Sequence, residues 1–95
     1  MNVQLLRVAS DSQPYLVAGA IAGQMRENGV SQIQAIGTDA VYRMLKAVII
    51  AQQYVINDDM HLAFVPEFIG IVVNDKERTA VRLNICAQML RSASQ

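Results

Sequence analysis

Tryptophan is absent from this chain, and three Tyr and two Phe are its only aromatic residues. Any core must therefore be assembled from Val, Ile, Leu, Ala and Met, in a chain that is 53% hydrophobic. The single cysteine, Cys86, excludes an intramolecular disulfide and a CxxC-type metal site, and it fits a reducing compartment. No apolar run approaches the roughly 20 residues that a membrane-spanning helix needs. The opening MNVQLLRVASD turns polar too soon for a signal peptide, so a cytoplasmic protein is expected. Neither sign of charge prevails, with eight basic and eight acidic residues. A whole-molecule field of the kind that drives strong non-specific DNA binding is excluded, and any contact with nucleic acid must come from local clustering.

What is present reads as one domain, near the size at which a partner subunit often completes the core. Asn2 to Ala9 reads as a strand ended by Ser10-Asp11-Ser12-Gln13 and Pro14. Pro14 suits a first helical turn and Ser12 is placed to cap it. Helix one is expected to run to Asn28, with Gly29 just past its end and Val17, Ile21 and Met25 as its apolar stripe, flanked by Ala18 and Ala22. Gly19 and Gly23, four apart, suggest close helix-on-sheet packing. Strand two spans Ser31 to Ile36. Gly37 then opens onto helix two, Thr38 to about Tyr54, with Thr38 as its expected N-cap. Met60 to Asn74 is extended, and Pro66 and Gly70 within it mark a bulge, kink or edge. Asn74-Asp75-Lys76-Glu77 reads as a turn, followed by a returning strand from Arg78 to Cys86 and a short extension, 87–95. On that strand, period two places Thr79, Val81, Leu83 and Ile85 on one face and Arg78, Ala80, Arg82 and Asn84 on the other. The order is β-α-β-α-β-β, a two-layer α/β domain with two helices on one face of a four-stranded mixed sheet.

Helix two is apolar over most of its circumference, from Val41, Met44 and Leu45 to Val48, Ile49, Ile50 and Ala51. One sheet face cannot cover so wide a surface, and a homodimer supplies the second most simply. No Ser-His-Asp set, P-loop, zinc or dinucleotide fingerprint is present, so neither an enzyme nor a cofactor, metal or small-molecule substrate is expected. His61 lacks partners at ligand spacing and reads as structural. Asp58-Asp59, after Asn57, reads as turn chemistry. Cys86 reads as a small buried or inert interface residue.

The blocks SQPYLVAGAIAGQMRENG, IQAIGTDAVYRMLKAVIIA and VPEFIGIVVNDKERTAVRL together resemble the stage V sporulation protein S family, over roughly residues 3 to 86. That family belongs to the Alba-like group of small nucleic-acid-binding folds. The resemblance implies dimeric or higher assembly and nucleic-acid binding, and it implies no catalysis. The chain departs from the family pattern where Asp11, Ser12 and Gln13 replace a lysine and two serines, where Asp39 replaces a second glycine, and where Tyr42 and Arg43 replace an asparagine and a glutamine. Carboxylates at Asp11 and Asp39 would occupy the helix-terminal field that a phosphate would otherwise use.

Three groups of residues are candidates for contacting nucleic acid. Parallel strands one and two bring the loops at Ser10–Gln13 and Gly37–Asp39 to one sheet edge, where Ser12, Gly37, Thr38 and Arg43 either form a phosphate cradle or merely start two helices. Arg43 and Lys46 share one helical face and either meet phosphates or solvate the polar stripe. Lys76, Arg78 and Arg82 lie on the hairpin, where Asp75 and Glu77 neutralise the tip. The expected function is a small regulatory protein of sporulation type that contacts DNA or RNA phosphates as a homodimer. The alternative is a protein-interaction or assembly module of the same fold.

Overall fold

The computed structural model describes residues 3–88. Its elements are β1 (Leu6–Val8), α1 (Pro14–Asn28), β2 (Val30–Ala35), α2 (Thr38–Val55), a single 3-10 turn (Ile56–Asp58), β3 (His61–Val73) and β4 (Lys76–Gln88). This is the expected β-α-β-α-β-β order. The sheet runs β1-β2-β4-β3, with β1 and β2 parallel and the other two pairings antiparallel. Leu6, Val8, Ile33, Ala35, Leu83 and Ile85 project from one sheet face into a core with Ala18, Ile21 and Met25 of α1 and Met44, Ala47 and Ala51 of α2. Both helices therefore cover the same face, and among the described residues the other face carries no helix.

Several local expectations are revised. Ser12 does not cap α1. Its Oγ accepts the Ala9 N–H at 2.8 Å, closing the turn before the helix, and Gln13 occupies the N-cap position without a side-chain bond. Asp11 consequently sits in that turn and not in the first turn of α1, which holds no acidic residue. Thr38 is the first helical residue of α2, and the N-cap is Gly37. The N-terminal strand is shorter than expected, and Met1 and Asn2 fall outside the described residues. At the other end β4 continues through Ala87 and Gln88, and 89–95 lie outside the described residues. Gly29 ends α1 as expected, in the left-handed conformation, with its N–H donating to the Met25 carbonyl.

Gly37 adopts φ 92° and ψ 157°, a region that residues with a Cβ rarely occupy. No atom lies within 4 Å of where its Cβ would stand, so a substitution there is opposed by backbone strain alone. Gly37→Ala is expected to destabilise the fold by about 1–3 kcal/mol. Gly19→Ala tests the opposite case. Gly19 is exposed within α1, and the space around its missing Cβ is also empty, which removes the expectation of close backbone packing there. That change is expected to stabilise by roughly 0.5–1 kcal/mol, because alanine loses less backbone entropy in a helix. Urea midpoints of the two variants check both signs.

The hairpin is longer than the sequence pattern indicates. Only Asn74 and Asp75, both at positive φ, form its turn, which has the character of a type I′ hairpin loop. Lys76 and Glu77 already belong to β4. The register of β3 on β4 is unbroken from His61↔Gln88 to Val73↔Lys76, so neither Pro66 nor Gly70 marks a bulge. β3 is instead an edge strand. Counting from the two-residue turn, Pro66 falls at a non-hydrogen-bonded pair, and its missing N–H faces the open edge. Only residues 81–86 of β4 pair with β2, and the turn end of the hairpin extends beyond the sheet. The molecule measures 52 × 26 × 25 Å. Gln52 ties α2 to β3 at the opposite end, donating to the Met60 carbonyl and accepting from the Leu62 N–H.

Candidate nucleic-acid interface

The candidate residues separate into two places. Ser12, Gly37, Thr38 and Arg43 do meet at the end of the sheet where β1 and β2 finish. Arg43 is held there: its Nη1 donates to the Ser12 carbonyl at 3.0 Å, tying α2 to the turn before α1. Ser12 Oγ is engaged within its own turn, and Asp39 stands in the first turn of α2. Lys46 is directed elsewhere, with its Nζ 5.4 Å from the centroid of the Tyr42 ring. The guanidinium of Arg43 and the ammonium of Lys46 thus engage different neighbours and do not form one cationic pair. At this end one guanidinium nitrogen of Arg43 ties α2 to the turn before α1, and a carboxylate shares the start of α2, where it competes with any phosphate for the helix-terminal field.

The second place is the helix-free face of the sheet. Alternation along the paired strands puts Lys76, Arg78 and Arg82 of β4 on that face, with Glu67 of β3 opposite Arg82. The same register places Gln32 and Gln34 of β2 beside Asn84 and Arg82. It adds Arg7 of β1 beside Gln34. Four of the eight basic residues therefore share this face with one of the eight acidic ones. Glu77 alternates to the helix side, Asp75 is in the turn, and Asp11, Glu27, Asp39, Asp58 and Asp59 belong to helices and loops. Zero net charge conceals a segregated distribution.

The face is ordered by cross-strand hydrogen bonds. Arg82 donates through Nε and Nη2 to Gln34 Oε1, at 2.9 and 2.7 Å. Gln32 Nε2 donates to Asn84 Oδ1 at 2.8 Å, and Asn84 Nδ2 donates to Glu67 Oε2 at 2.6 Å. Gln34 is buried beneath this layer, as is Ala80, which lies on this face and not in the helix-side core. Among the described residues Arg7, Lys76 and Arg78 make no side-chain hydrogen bond and no ion pair. The one ion pair among the described residues joins Arg26 to Asp58 at 2.9 Å, on the far side of the fold.

Arg7 and the Gln32–Gln34 ladder were not candidates on sequence grounds. Their signal is present nonetheless. Arg7 stands between Leu6 and Val8, and Gln32 and Gln34 alternate with Ile33 and Ala35, so period two assigns all three to the face away from the core. Cys86 is exposed and not buried, because alternation along β4 places it with Arg82 and Asn84 on the face away from the helices. Asp58 is engaged by Arg26 and Asp59 has positive φ, in keeping with turn chemistry. Among the described residues no three His, Cys, Asp or Glu side chains are grouped to hold a metal ion, and no helix is long and apolar enough to cross a membrane.

The two-layer fold, the glycine-started second helix and the long terminal hairpin occur in a chain whose residues 4–88 match the family model for stage V sporulation protein S (SpoVS). The match spans both helices and all four strands, and the chain belongs to the stage V sporulation protein S family.

Proposed function

We propose that this protein is a small, non-enzymatic, cytoplasmic regulator in sporulation that binds nucleic acid through phosphates, without reading bases, as a homodimer of Alba-like type. The observation that carries this reading is the gathering of Lys76, Arg78, Arg82 and Arg7 on a helix-free sheet face with a single carboxylate. Such a surface meets a phosphate backbone electrostatically, and among the described residues it presents no Phe or Tyr side chain to stack on bases. Whether the strand is DNA or RNA does not alter this chemistry.

The homodimer rests on a different surface. Tyr42, Leu45 and Ile49 form an exposed stripe along α2, and Tyr42 and Leu45 border a trough shared with Val81 of β4. Phe68 lies opposite Val81 on the same side of the hairpin and is 79% exposed. An apolar surface joining a helix to an adjacent hairpin is of the kind that a two-fold partner covers. Ile50, by contrast, is half-buried against the core, so the outward stripe of α2 is carried by Ile49.

The competing reading is a protein-interaction module. Tyr15 and Leu16, two large apolar side chains exposed at the start of α1, favour it. A salt titration separates the two. With two to four phosphates neutralised per protomer, log K for a generic duplex or single strand should fall against log salt with a slope of roughly −2 to −4. Absence of association at low salt would leave the interaction module as the function.

A further inference from the structure

At the end of the helix-free face, where β1 and β2 terminate beside the hairpin, lies an open trough of about 440 Å³. Arg7 and Arg78 line it, with Gln34 in its floor, Ile71 and Val73 on the hairpin side and Ser10 at its rim. Among the described residues no carboxylate lines it. Both arginines lack a side-chain partner among the described residues. Gln34 Oε1 is occupied by two donors from Arg82, so its remaining function toward the trough is that of an amide donor. The trough thus offers two cations and an amide N–H₂ above aliphatic walls, a chemistry that accepts an anion carrying an apolar or sugar-like body.

We infer that this trough seats the phosphodiester backbone of one nucleic-acid strand, with Arg7 and Arg78 as phosphate contacts on either side and the sugar resting on Ile71 and Val73. The inference rests on the nucleic-acid reading and gives it a path: the strand crosses the sheet from the hairpin toward β1, and it bypasses the helix starts at Gly37 and Thr38. Spacing agrees with this path. Arg7 and Arg82 stand two strands apart with Gln34 between them, about 10 Å, and Arg78 lies about 13 Å along β4 from Arg82. These separations distribute the cations along a backbone and do not converge them on one compact anion. Guanidinium groups also suit this role, because each can present a bidentate fork to a phosphate.

Fluorescence anisotropy with a labelled single strand and the matching duplex, across a salt series, tests the assignment. Arg7→Gln should reduce the salt slope by about one per protomer and weaken binding at low salt roughly threefold to tenfold. Arg7→Lys should retain the slope. Ser10→Glu, which places a carboxylate at the rim without altering the sheet, should weaken binding comparably, and it serves even if Arg7→Gln perturbs β1. Unchanged slopes in both Arg7→Gln and Ser10→Glu, with the wild type binding, would overturn the trough and leave the nucleic-acid reading standing. No binding by the wild type to either probe at low salt would overturn that reading and the trough with it.

Discussion

The double variant Lys76→Glu, Arg78→Glu should lose at least tenfold in nucleic-acid affinity at low salt, with the salt slope falling by about two per protomer. Both side chains are exposed and unpartnered among the described residues, so their reversal removes phosphate contacts without breaking an internal bond. Reversal has a larger effect than neutralisation, because each new carboxylate repels the phosphates it replaces a cation beside. Arg82 is deliberately left unchanged. Its guanidinium holds Gln34 Oε1, and a glutamate there would stand directly opposite Glu67, a like-charge cross-strand pair that destabilises the sheet itself. Thermal melting should show the double variant folded like the wild type. Undiminished affinity in a folded double variant would mean that the hairpin does not contact the nucleic acid.

Ile49→Glu combined with Phe68→Glu should convert the proposed homodimer into a monomer. Both residues are largely exposed in the protomer, at 62% and 79%, so the substitutions leave the internal core untouched. In a two-fold assembly each substitution occurs twice, and each buries a charge without a partner, at a cost of several kcal/mol. Dissociation constants should therefore rise at least a hundredfold, about 2.7 kcal/mol. Sedimentation velocity at micromolar concentration reads the result directly. A wild type that sediments as a monomer at high concentration would remove the dimer and any binding surface built from two subunits. A double variant that remains dimeric would place the contact elsewhere, with the exposed Tyr15 and Leu16 the next surface to alter.

The secondary structure was legible wherever local chemistry is decisive. Pro14 and Gly29 bracket α1, the apolar spacing of Ile21 and Met25 identifies its inner face, and the alternation through Val81, Leu83 and Ile85 predicts the core side of β4. These signals depend on residues close in sequence, and helical and strand periods impose them whatever the rest of the chain does. The two helix starts were less legible. A hydroxyl near a helix start can cap it or close the preceding turn, and the positions of Gln13 and Gly37 relative to the sheet decided which residue became the N-cap. The candidate site was legible only in part. Lys76, Arg78 and Arg82 lie within one strand, and their common face follows from alternation alone. Arg7 joins them only because β1 pairs with β2, and β2 with β4. Arg43 leaves the group because it reaches the Ser12 carbonyl 31 positions earlier in the chain. Composition determined that the chain has no net charge, but charge balance is a sum and electrostatic recognition depends on position. Strand order, which no local pattern encodes, gathered Arg7, Arg78 and Arg82 on one sheet face with Glu67 as its one carboxylate among the described residues.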